Sequence, residues 1–261
     1  MEKKLFNAEK EVKHIIDSIQ KYFLKNGNEN TKAVIGISGG NDSTIAAALL
    51  VRALGPERVV GVLMPQDNQN DIEDSYKVCE ILNIPYYTIN IGPTCDELYK
   101  SFIANTKLTL SSQIETNTPA RIRMTTLYMV AAAVGGRVIN TGNASELYVG
   151  YTTKYGDLAG DFAILRNYYV REVYAIGDIL EELPSELVHK VPGDGMSGKS
   201  DEDNMGFTYE ELDAYLIDNV MPTESKKRYN IESRHNRNFH KNCIVIPHVM
   251  PLGTYKIDFD F

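Results

Sequence analysis

One junction, at residues 33–43, constrains the fold of this chain more than any other part. The β-type run AVIGI (33–37) passes directly into the glycine loop SGGNDS (38–43), and a helical pattern follows at once. Such a junction forms an anion site, because glycines let the backbone approach a phosphate and the helix N-terminus adds partial positive charge. Serine hydroxyls can donate to phosphate oxygens, whereas a carboxylate such as Asp42 needs a cation between itself and a phosphate. The junction therefore predicts a magnesium-nucleotide site at a pyrophosphate.

Strand-like and helical segments alternate through the first 143 residues. Strands are predicted at 33–37, 59–64, 86–91 and 137–143, and helices at 8–24, 44–54, 71–83, 94–104 and 120–134. This alternation is typical of a doubly wound parallel sheet flanked by helices on both faces. Ligands of such sheets bind beyond the carboxyl ends of the strands, where the strand order reverses. The loops after the first and fourth strands, SGGNDS and NTGNASE (140–146), are therefore expected to meet there.

The remaining sequence is less regular. Helices are predicted at 168–183 and 208–220, and the last 35 residues are basic and then irregular. With 261 residues and no internal repeat, the chain fits a single domain over 1–261. Its net charge of −8 argues against nucleic acid or a membrane surface as partner. The charged N-terminus, the absence of a spanning apolar run and three distant cysteines favour a cytoplasmic protein with reduced thiols.

Four motifs, in order along the chain, carry a family resemblance. They are GISGGNDS (36–43), NTPARIRMTTLY (117–128), NTGNASELYVGYTTKYGDLAGD (140–161) and HKN (240–242). From about residue 10 onward the chain resembles the ammonia-dependent NAD synthetases of the ATP-pyrophosphatase (PP-loop) superfamily. The loop SGGxDS marks only the superfamily, whereas the segment around TKYGD is more specific. The resemblance implies an adenine nucleotide alpha hydrolase-like fold.

The resemblance also implies a reaction, the last step of NAD biosynthesis. The nicotinate carboxylate of deamido-NAD attacks the α-phosphorus of ATP and releases pyrophosphate, and ammonia then displaces AMP from the acyl-adenylate. This chemistry requires Mg²⁺ and a dry pocket that protects the intermediate. A fused glutaminase domain is not expected in a chain of this length, so the expected nitrogen donor is free ammonia or ammonia supplied by a separate protein. Family precedent adds a homodimer, with which an apolar face on helix 120–134 is compatible.

Site residues carry over from the matching motifs. The ATP phosphates would be held by Gly36, Ile37, Ser38, Gly39, Gly40, Asn41, Asp42 and Ser43, with Thr141 as a further ATP contact. The Mg²⁺ carboxylates would be Asp42 and Glu146. Deamido-NAD would be bound by Arg121, Lys154, Asp161, His240 and Lys241. Arg123, two positions beyond Arg121, faces another side of the helix and is expected to be structural.

Two positions depart from the family pattern. Where many members carry a lysine for ATP this chain has Val170, and where they carry a threonine after a proline it has Gly193. A valine cannot neutralise phosphate, and a glycine has no hydroxyl. Either ATP binds more weakly, or neighbouring side chains replace the contacts, the candidates being Arg171, Ser197 and Lys199.

The segment GDGMSGKS (193–200) matches the Walker A pattern literally. A working P-loop follows a buried strand and opens a helix, whereas VHKVP precedes this segment and the acidic DEDNMG follows it. We therefore expect a flexible lid over 190–206 instead. Residues 222–261 are expected to form a tail that closes on the substrate, although His240 and Lys241 alone would equally suit a flexible basic tail.

Two alternatives to NAD synthesis remain open at this point. One is another PP-loop ATP pyrophosphatase that amidates or thiolates a different substrate, and the other is a nucleotide-binding protein without turnover. The missing paired cysteines disfavour sulfur transfer, and the TKYGD and HKN motifs disfavour a different carboxylate. Val170 and Gly193 are the residues that motivate the second alternative.

Overall fold

The computed structural model describes residues 6–67, 69, 72–191 and 200–241. Its centre is a parallel five-stranded sheet with the spatial order β3-β2-β1-β4-β5. In chain order the strands are β1 (Lys32–Gly36), β2 (Val59–Leu63), β3 (Tyr86–Thr88), β4 (Gly136–Asn140) and β5 (Phe162–Ala163). Every pairing is parallel, so the predicted doubly wound sheet is confirmed. The strand order reverses between β1 and β4.

Helices connect the strands and cover both faces of the sheet. They are α1 (Ala8–Lys25), α2 (Asn41–Leu54), α3 (Ile72–Ile81), α4 (Gly92–Thr106), α5 (Ser112–Val134), α6 (Ala144–Val149), α7 (Val170–Gly177), α8 (Ser185–Val188), α9 (Asp201–Met205), α10 (Tyr209–Asp218) and α11 (Ser225–Asn238). Single 3-10 turns lie at Pro56–Arg58 and Phe239–Lys241. Among the described helices, none is both long and apolar enough to cross a bilayer.

The core lies on the two faces of the central strands. Alternate residues of β1 point to opposite faces, so Ala33 and Ile35 pack with α1, α2 and α7, whereas Val34 packs with α5. All five residues of β2 are buried. A strand covered on both faces is apolar throughout, and β1 and β2 therefore appear in the sequence as continuous apolar runs.

A third apolar cluster lies beyond the sheet, among the helices of the second half of the chain. Its buried members are Val149, Val170, Met205, Phe207, Tyr209, Leu212 and Ile231. These residues come from α6, α7, α10, α11 and the segment around α9. The cluster therefore holds the chain after residue 200 against the elements that follow β4.

Several element boundaries differ from the predictions. The helix predicted at 44–54 begins at Asn41, inside the glycine loop, and the helix predicted at 120–134 begins at Ser112 and contains Pro119. The helix predicted at 168–183 spans only Val170–Gly177. Residues 225–238, for which no helix was predicted, form α11.

The lid predicted at 190–206 is described only in part. Residues 192–199, which include Gly193 and most of the Walker A pattern, lie outside the described residues, as does the tail beyond residue 241. Residues after 199 form α9, which Ser200 caps by accepting from the Asp203 amide at 3.1 Å. Cys79 and Cys95 are free thiols buried in the core.

Candidate active site

The glycine loop connects β1 to α2 at the carboxyl edge of the sheet. Gly40, which has no side chain, occupies the N-cap position of α2. The first amides of the helix therefore face the loop without a side-chain cap, as an anion site requires. Gly39 has φ +75°, and a Cβ there would lie 3.0 Å from the Ser75 backbone nitrogen. Only glycine adopts this conformation in this space without strain.

The two serines of the loop brace each other. Their hydroxyl oxygens are 3.1 Å apart, and Ser43 Oγ also donates to the Gly40 carbonyl at 3.1 Å. Ser38 Oγ accepts from the Gly40 amide at 3.2 Å. The hydroxyls that were predicted to bind phosphate therefore also stabilise the conformation of the loop.

The loops after β1 and β4 meet, as the parallel topology predicts. Asn143 Nδ2 donates to Asp42 Oδ2 at 3.0 Å, across 101 residues of sequence. The second oxygen of the carboxylate, Asp42 Oδ1, is buried and has no hydrogen-bond partner among the described residues. A buried carboxylate oxygen without a partner is costly, so it marks a place for a ligand.

Glu146, the third residue of α6, lies beside Asp42. Its Oε2 accepts from the Asn143 amide at 3.1 Å, and the Glu146 amide donates to Asn143 Oδ1 at 3.0 Å, which together make a capping box. The capping box fixes both the start of the helix and the direction of the carboxylate. Thr141, the predicted ATP contact, is half-buried in the loop between β4 and this helix.

Burial and neighbouring negative charge raise the pKa values of both carboxyls. Burial raises the pKa of Asp42 to about 7, against the hydrogen bond from Asn143, and the charge of Asp201 adds to the rise. Burial, and then the charge of Asp42, raises the pKa of Glu146 well above its ordinary value. Buried carboxylates whose pKa values are raised by neighbouring negative charge form a negative pocket, which a divalent cation would neutralise.

Two residues near this pocket, both from the second half of the chain, were not among the predicted site residues. Asp201, the first residue of α9, is buried and acts on the pKa of both Asp42 and Glu146. Tyr209, the first residue of α10, is subject to the charges of the same carboxylates. The acidic run DEDNMG entered above only as an argument against a P-loop, and nothing in its sequence distinguishes Asp201 from its neighbours.

Four of the five residues predicted to bind deamido-NAD lie around one loop, at 150–156. Arg121 Nε donates to the Lys154 carbonyl at 3.2 Å, and Lys154 Nζ donates to the His240 carbonyl at 2.7 Å. Lys241 Nζ donates to the carbonyls of Gly150 and Thr152, both at 2.8 Å. Burial lowers the pKa of the Lys241 ammonium. This basic group faces the loop from α5 and from the segment after α11.

The fifth predicted residue, Asp161, is not brought to that loop. Its carboxylate accepts from the Val138 amide at 2.8 Å and from the Tyr128 hydroxyl at 3.3 Å, and the residue is exposed beside β4. Its contacts are with the edge of the sheet and with α5. Arg123, which we expected to be structural, donates to the Met64 carbonyl at 3.1 Å from a largely buried position.

Val170 does not point a side chain at a nucleotide site. It packs in the third apolar cluster, and its amide donates to Ser145 Oγ at 3.1 Å. Arg171, a candidate to replace the missing lysine, forms a two-bond ion pair with Asp218 at 2.5 and 3.3 Å. The structure therefore gives no support to Arg171 as a phosphate ligand, while Ser197 and Lys199 lie outside the described residues.

A parallel sheet whose glycine loop meets paired carboxylates at the switch point has the arrangement expected of the PP-loop ATP-pyrophosphatase class of α/β enzymes. Within this class, the family model described as NAD synthase matches residues 11–244. The chain belongs to the NAD synthase family.

Curated relatives agree with this assignment. The NH(3)-dependent NAD(+) synthetase of Pyrococcus horikoshii is 40% identical over 203 residues, which cover 77% of this chain and 76% of the relative. The enzyme of the same name from Pyrococcus furiosus is 38% identical over 211 residues, covering 80% of this chain and 78% of the relative.

Solved structures share the fold over nearly the whole chain. The NMN synthetase from Francisella tularensis is 34% identical with a TM-score of 0.83, covering 94% of this chain and 100% of that chain. The NH3-dependent NAD synthetase from Campylobacter jejuni, solved with a nitrate ion, is 30% identical with a TM-score of 0.72, covering 95% and 100%.

Proposed function

We propose that this chain makes NAD by amidating deamido-NAD with ammonia, coupled to the cleavage of ATP into AMP and pyrophosphate. The family model over 11–244 and the curated relatives support this activity. The observation that carries it is the contact between Asn143 and Asp42, which joins the glycine loop to the carboxylates at the switch point. That junction supplies an anion site and a cation site side by side.

The reaction has two steps. An oxygen of the nicotinate carboxylate attacks the α-phosphorus of ATP, and the bond between that phosphorus and the pyrophosphate oxygen breaks. Ammonia then attacks the acyl carbon, the bond to the AMP oxygen breaks, and the nitrogen loses a proton. The amides at the start of α2 would hold the phosphate chain, since the developing charge lies there.

Mg²⁺ fits the carboxylate pair. Asp42 Oδ1 lacks a partner among the described residues, and burial, together with the charge of Asp42, raises the pKa of Glu146. Oxygen ligands of this kind, completed by water and phosphate oxygens, are those that Mg²⁺ prefers. When bound, the cation would neutralise charge on the ATP phosphates. Asp42 and Glu146 would be its protein ligands.

The basic group around loop 150–156 supports binding of a phosphorylated substrate. Arg121 and Lys154 join α5 to this loop, and Lys241 joins the loop to the segment after α11. Each of these side chains donates to backbone carbonyls, and a substrate phosphate would replace those acceptors or add to them. Asp161, whose oxygens are bonded to the edge of the sheet and Tyr128, could contact the dinucleotide only if those bonds rearranged.

A homodimer is the assembly we propose. Helices α4 and α5 expose apolar side chains, with Leu98 50%, Ile103 49% and Met129 68% exposed. The two helices also contact each other, so these side chains belong to neighbouring elements. Apolar patches of this kind mark interaction surfaces, and a second copy of the chain is the partner that family precedent suggests.

A mononucleotide substrate is the second candidate. Of the two solved structures compared above, the higher TM-score, 0.83, belongs to the Francisella tularensis NMN synthetase. The same amidation chemistry applied to nicotinate mononucleotide would give NMN in place of NAD. The phosphate loop and the carboxylates would have the same roles with either substrate, because both substrates react at the same nicotinate carboxylate.

The decisive experiment is a substrate panel. Purified protein is incubated with ATP, Mg²⁺ and ammonium plus deamido-NAD, nicotinate mononucleotide or another carboxylate. Pyrophosphate release is measured, and AMP, NAD and NMN are separated by chromatography. We expect NAD from deamido-NAD, with one AMP per NAD. Preferential NMN formation would favour the second candidate. Pyrophosphate release only with another carboxylate would favour another PP-loop ligase, and nucleotide binding without AMP would favour a binding protein without turnover.

Variants test the assigned carboxylates. Asp42→Asn should lower kcat/KM by roughly 10²- to 10³-fold, the usual effect of losing one preorganised electrostatic contact. Asp178→Asn is the matched control, because Asp178 is an exposed carboxylate that pairs with His189. Equal activities of the two variants would refute the role of Asp42.

A further inference from the structure

Tyr209 carries a buried hydroxyl that nothing within the described residues binds. The residue is 4% exposed, and its hydroxyl oxygen is fully covered and has no hydrogen-bond partner there. The backbone is fixed, because the Tyr209 amide donates to Glu202 Oε1 at 2.8 Å and the residue begins α10. The position of the ring is therefore set by the fold.

The isolation of this hydroxyl contrasts with other tyrosines of the chain. The Tyr168 hydroxyl, also partly buried, donates to Glu11 Oε2 at 2.9 Å, and the Tyr128 hydroxyl donates to Asp161. A buried hydroxyl without a partner destabilises a fold, and phenylalanine would fill the same apolar space without that cost. A ligand absent from the isolated chain would give the hydroxyl its partner.

The surroundings of Tyr209 indicate which ligand that is. Its ring packs in the third apolar cluster with Val149 of α6 and Val170 of α7, next to the helix that carries Glu146. Burial, and then the charges of Glu146, Asp201 and Asp42, raises the pKa of Tyr209 well above its ordinary value. The hydroxyl thus stays protonated and lies near enough to these carboxylates to be affected by their charge, but it bonds to none of them.

We propose that the Tyr209 hydroxyl donates a hydrogen bond to an oxygen bound to the cation at Asp42 and Glu146, either a water or a phosphate oxygen. Tyr209 is then a binding residue of the metal-nucleotide site, contributed by the region after the lid segment. This inference rests on the proposed function, which places the cation between the two carboxylates. Mg²⁺ keeps several oxygen ligands that are not protein atoms, so such an oxygen is available.

The test compares Tyr209→Phe with Tyr168→Phe. Tyr168→Phe is the matched control, because it also removes a phenol oxygen but one with a partner inside the fold. Binding of Mn²⁺, a paramagnetic substitute for Mg²⁺, is measured by electron paramagnetic resonance with and without ATP. ATP binding in EDTA is measured by calorimetry, and melting temperatures are recorded without ligand.

Tyr209→Phe should weaken Mn²⁺ binding about tenfold, which corresponds to one hydrogen bond, and leave ATP binding in EDTA unchanged. A loss seen with Mn²⁺ alone assigns the bond to a water, and a loss seen only with ATP present assigns it to a phosphate oxygen. The melting temperature of ligand-free Tyr209→Phe should stay equal or rise, whereas that of Tyr168→Phe should fall.

Three results would overturn the inference. These are unchanged Mn²⁺ affinity in both conditions, an equal loss of ATP affinity in EDTA, and a fall in melting temperature for Tyr209→Phe as large as for Tyr168→Phe. The last result, including failure of the variant to fold, would mean that the hydroxyl has a structural partner. If the wild type makes no NAD but the Mn²⁺ difference appears, the proposed function fails while the role of Tyr209 stands.

Discussion

Replacing Asp213 by alanine should destabilise the protein and loosen the helix that carries Glu146. Asp213 lies on α10 and is 1% exposed. Its two oxygens accept from Ser145 Oγ at 2.5 Å and from the Arg171 amide at 2.8 Å. Ser145 Oγ in turn accepts from the Val170 amide at 3.1 Å. One carboxylate therefore ties the N-terminus of α7 to α6.

The magnitude follows from the bonds lost. A hydrogen bond to a charged group contributes about 1.5–3 kcal/mol, so two of them contribute about 3–6 kcal/mol. Burial of Asp213 raises its pKa, which shows that desolvation opposes part of this gain. We therefore expect Asp213→Ala to lower the free energy of unfolding by about 2–4 kcal/mol. Asp213→Asn, which keeps one acceptor and adds a donor, should cost about 1–2 kcal/mol.

Urea unfolding followed by circular dichroism measures these changes, and a double-mutant cycle with Ser145→Ala isolates the pair. The coupling energy should be about 1–3 kcal/mol, because the two residues share one network. Asp178→Ala is the control, since its exposed side chain should change stability by no more than about 0.5 kcal/mol. A loss below about 1 kcal/mol for Asp213→Ala, or strict additivity with Ser145→Ala, would refute the reasoning.

Three further predictions concern the loop, the cation and the dimer. Burial raises the pKa of Asp42 to about 7, so the folded state holds that proton more tightly than the unfolded chain. The difference in melting temperature between wild type and Asp42→Asn should therefore shift against the wild type as pH rises from about 5 to about 8. Saturating Mg²⁺ should reverse this shift, and a difference that does not depend on pH would contradict the prediction. Gly39→Ala, with φ +75° and a Cβ 3.0 Å from the Ser75 nitrogen, should lower kcat/KM for ATP by roughly 10- to 100-fold in steady-state assays, and an unchanged value would show that the loop adjusts freely. Met129→Glu should convert the dimer to monomer in sedimentation velocity, whereas Leu24→Glu, at an exposed position of α1, should not. Dimers in both variants would place the interface elsewhere.

The sheet and the meeting of its two loops were predictable because they follow from local patterns and one rule of topology. Continuous apolar runs identify the buried parallel strands, and ligands bind where the strand order reverses. The Asn143 and Glu146 pair could also have predicted α6, since N-x-x-E is a capping box. That helix has six residues, too few for a hydrophobic period to identify it.

The far side of the site could not be predicted in this way. Asp201 and Tyr209 are single residues in polar or amphipathic segments, and only tertiary packing brings them near the carboxylates Asp42 and Glu146. Helix α11 was missed because Ile231 is its one buried residue in the described structure, so it lacks an apolar stripe. Asp161 was assigned by motif alone, and a motif does not specify whether a carboxylate bonds to substrate or to the edge of the sheet.

The hydrogen bond between Asn143 and Asp42 also has a consequence for how the chain folds. Its two residues lie 101 positions apart, so the cation pocket exists only after β4 has docked beside β1. Contacts of such separation form late and slowly, because a long loop must close first. A nucleotide with its cation would bind the completed sheet and not its precursors, and would stabilise the docked state by mass action. A higher nucleotide concentration would thus raise the fraction of chains in which β4 is docked beside β1.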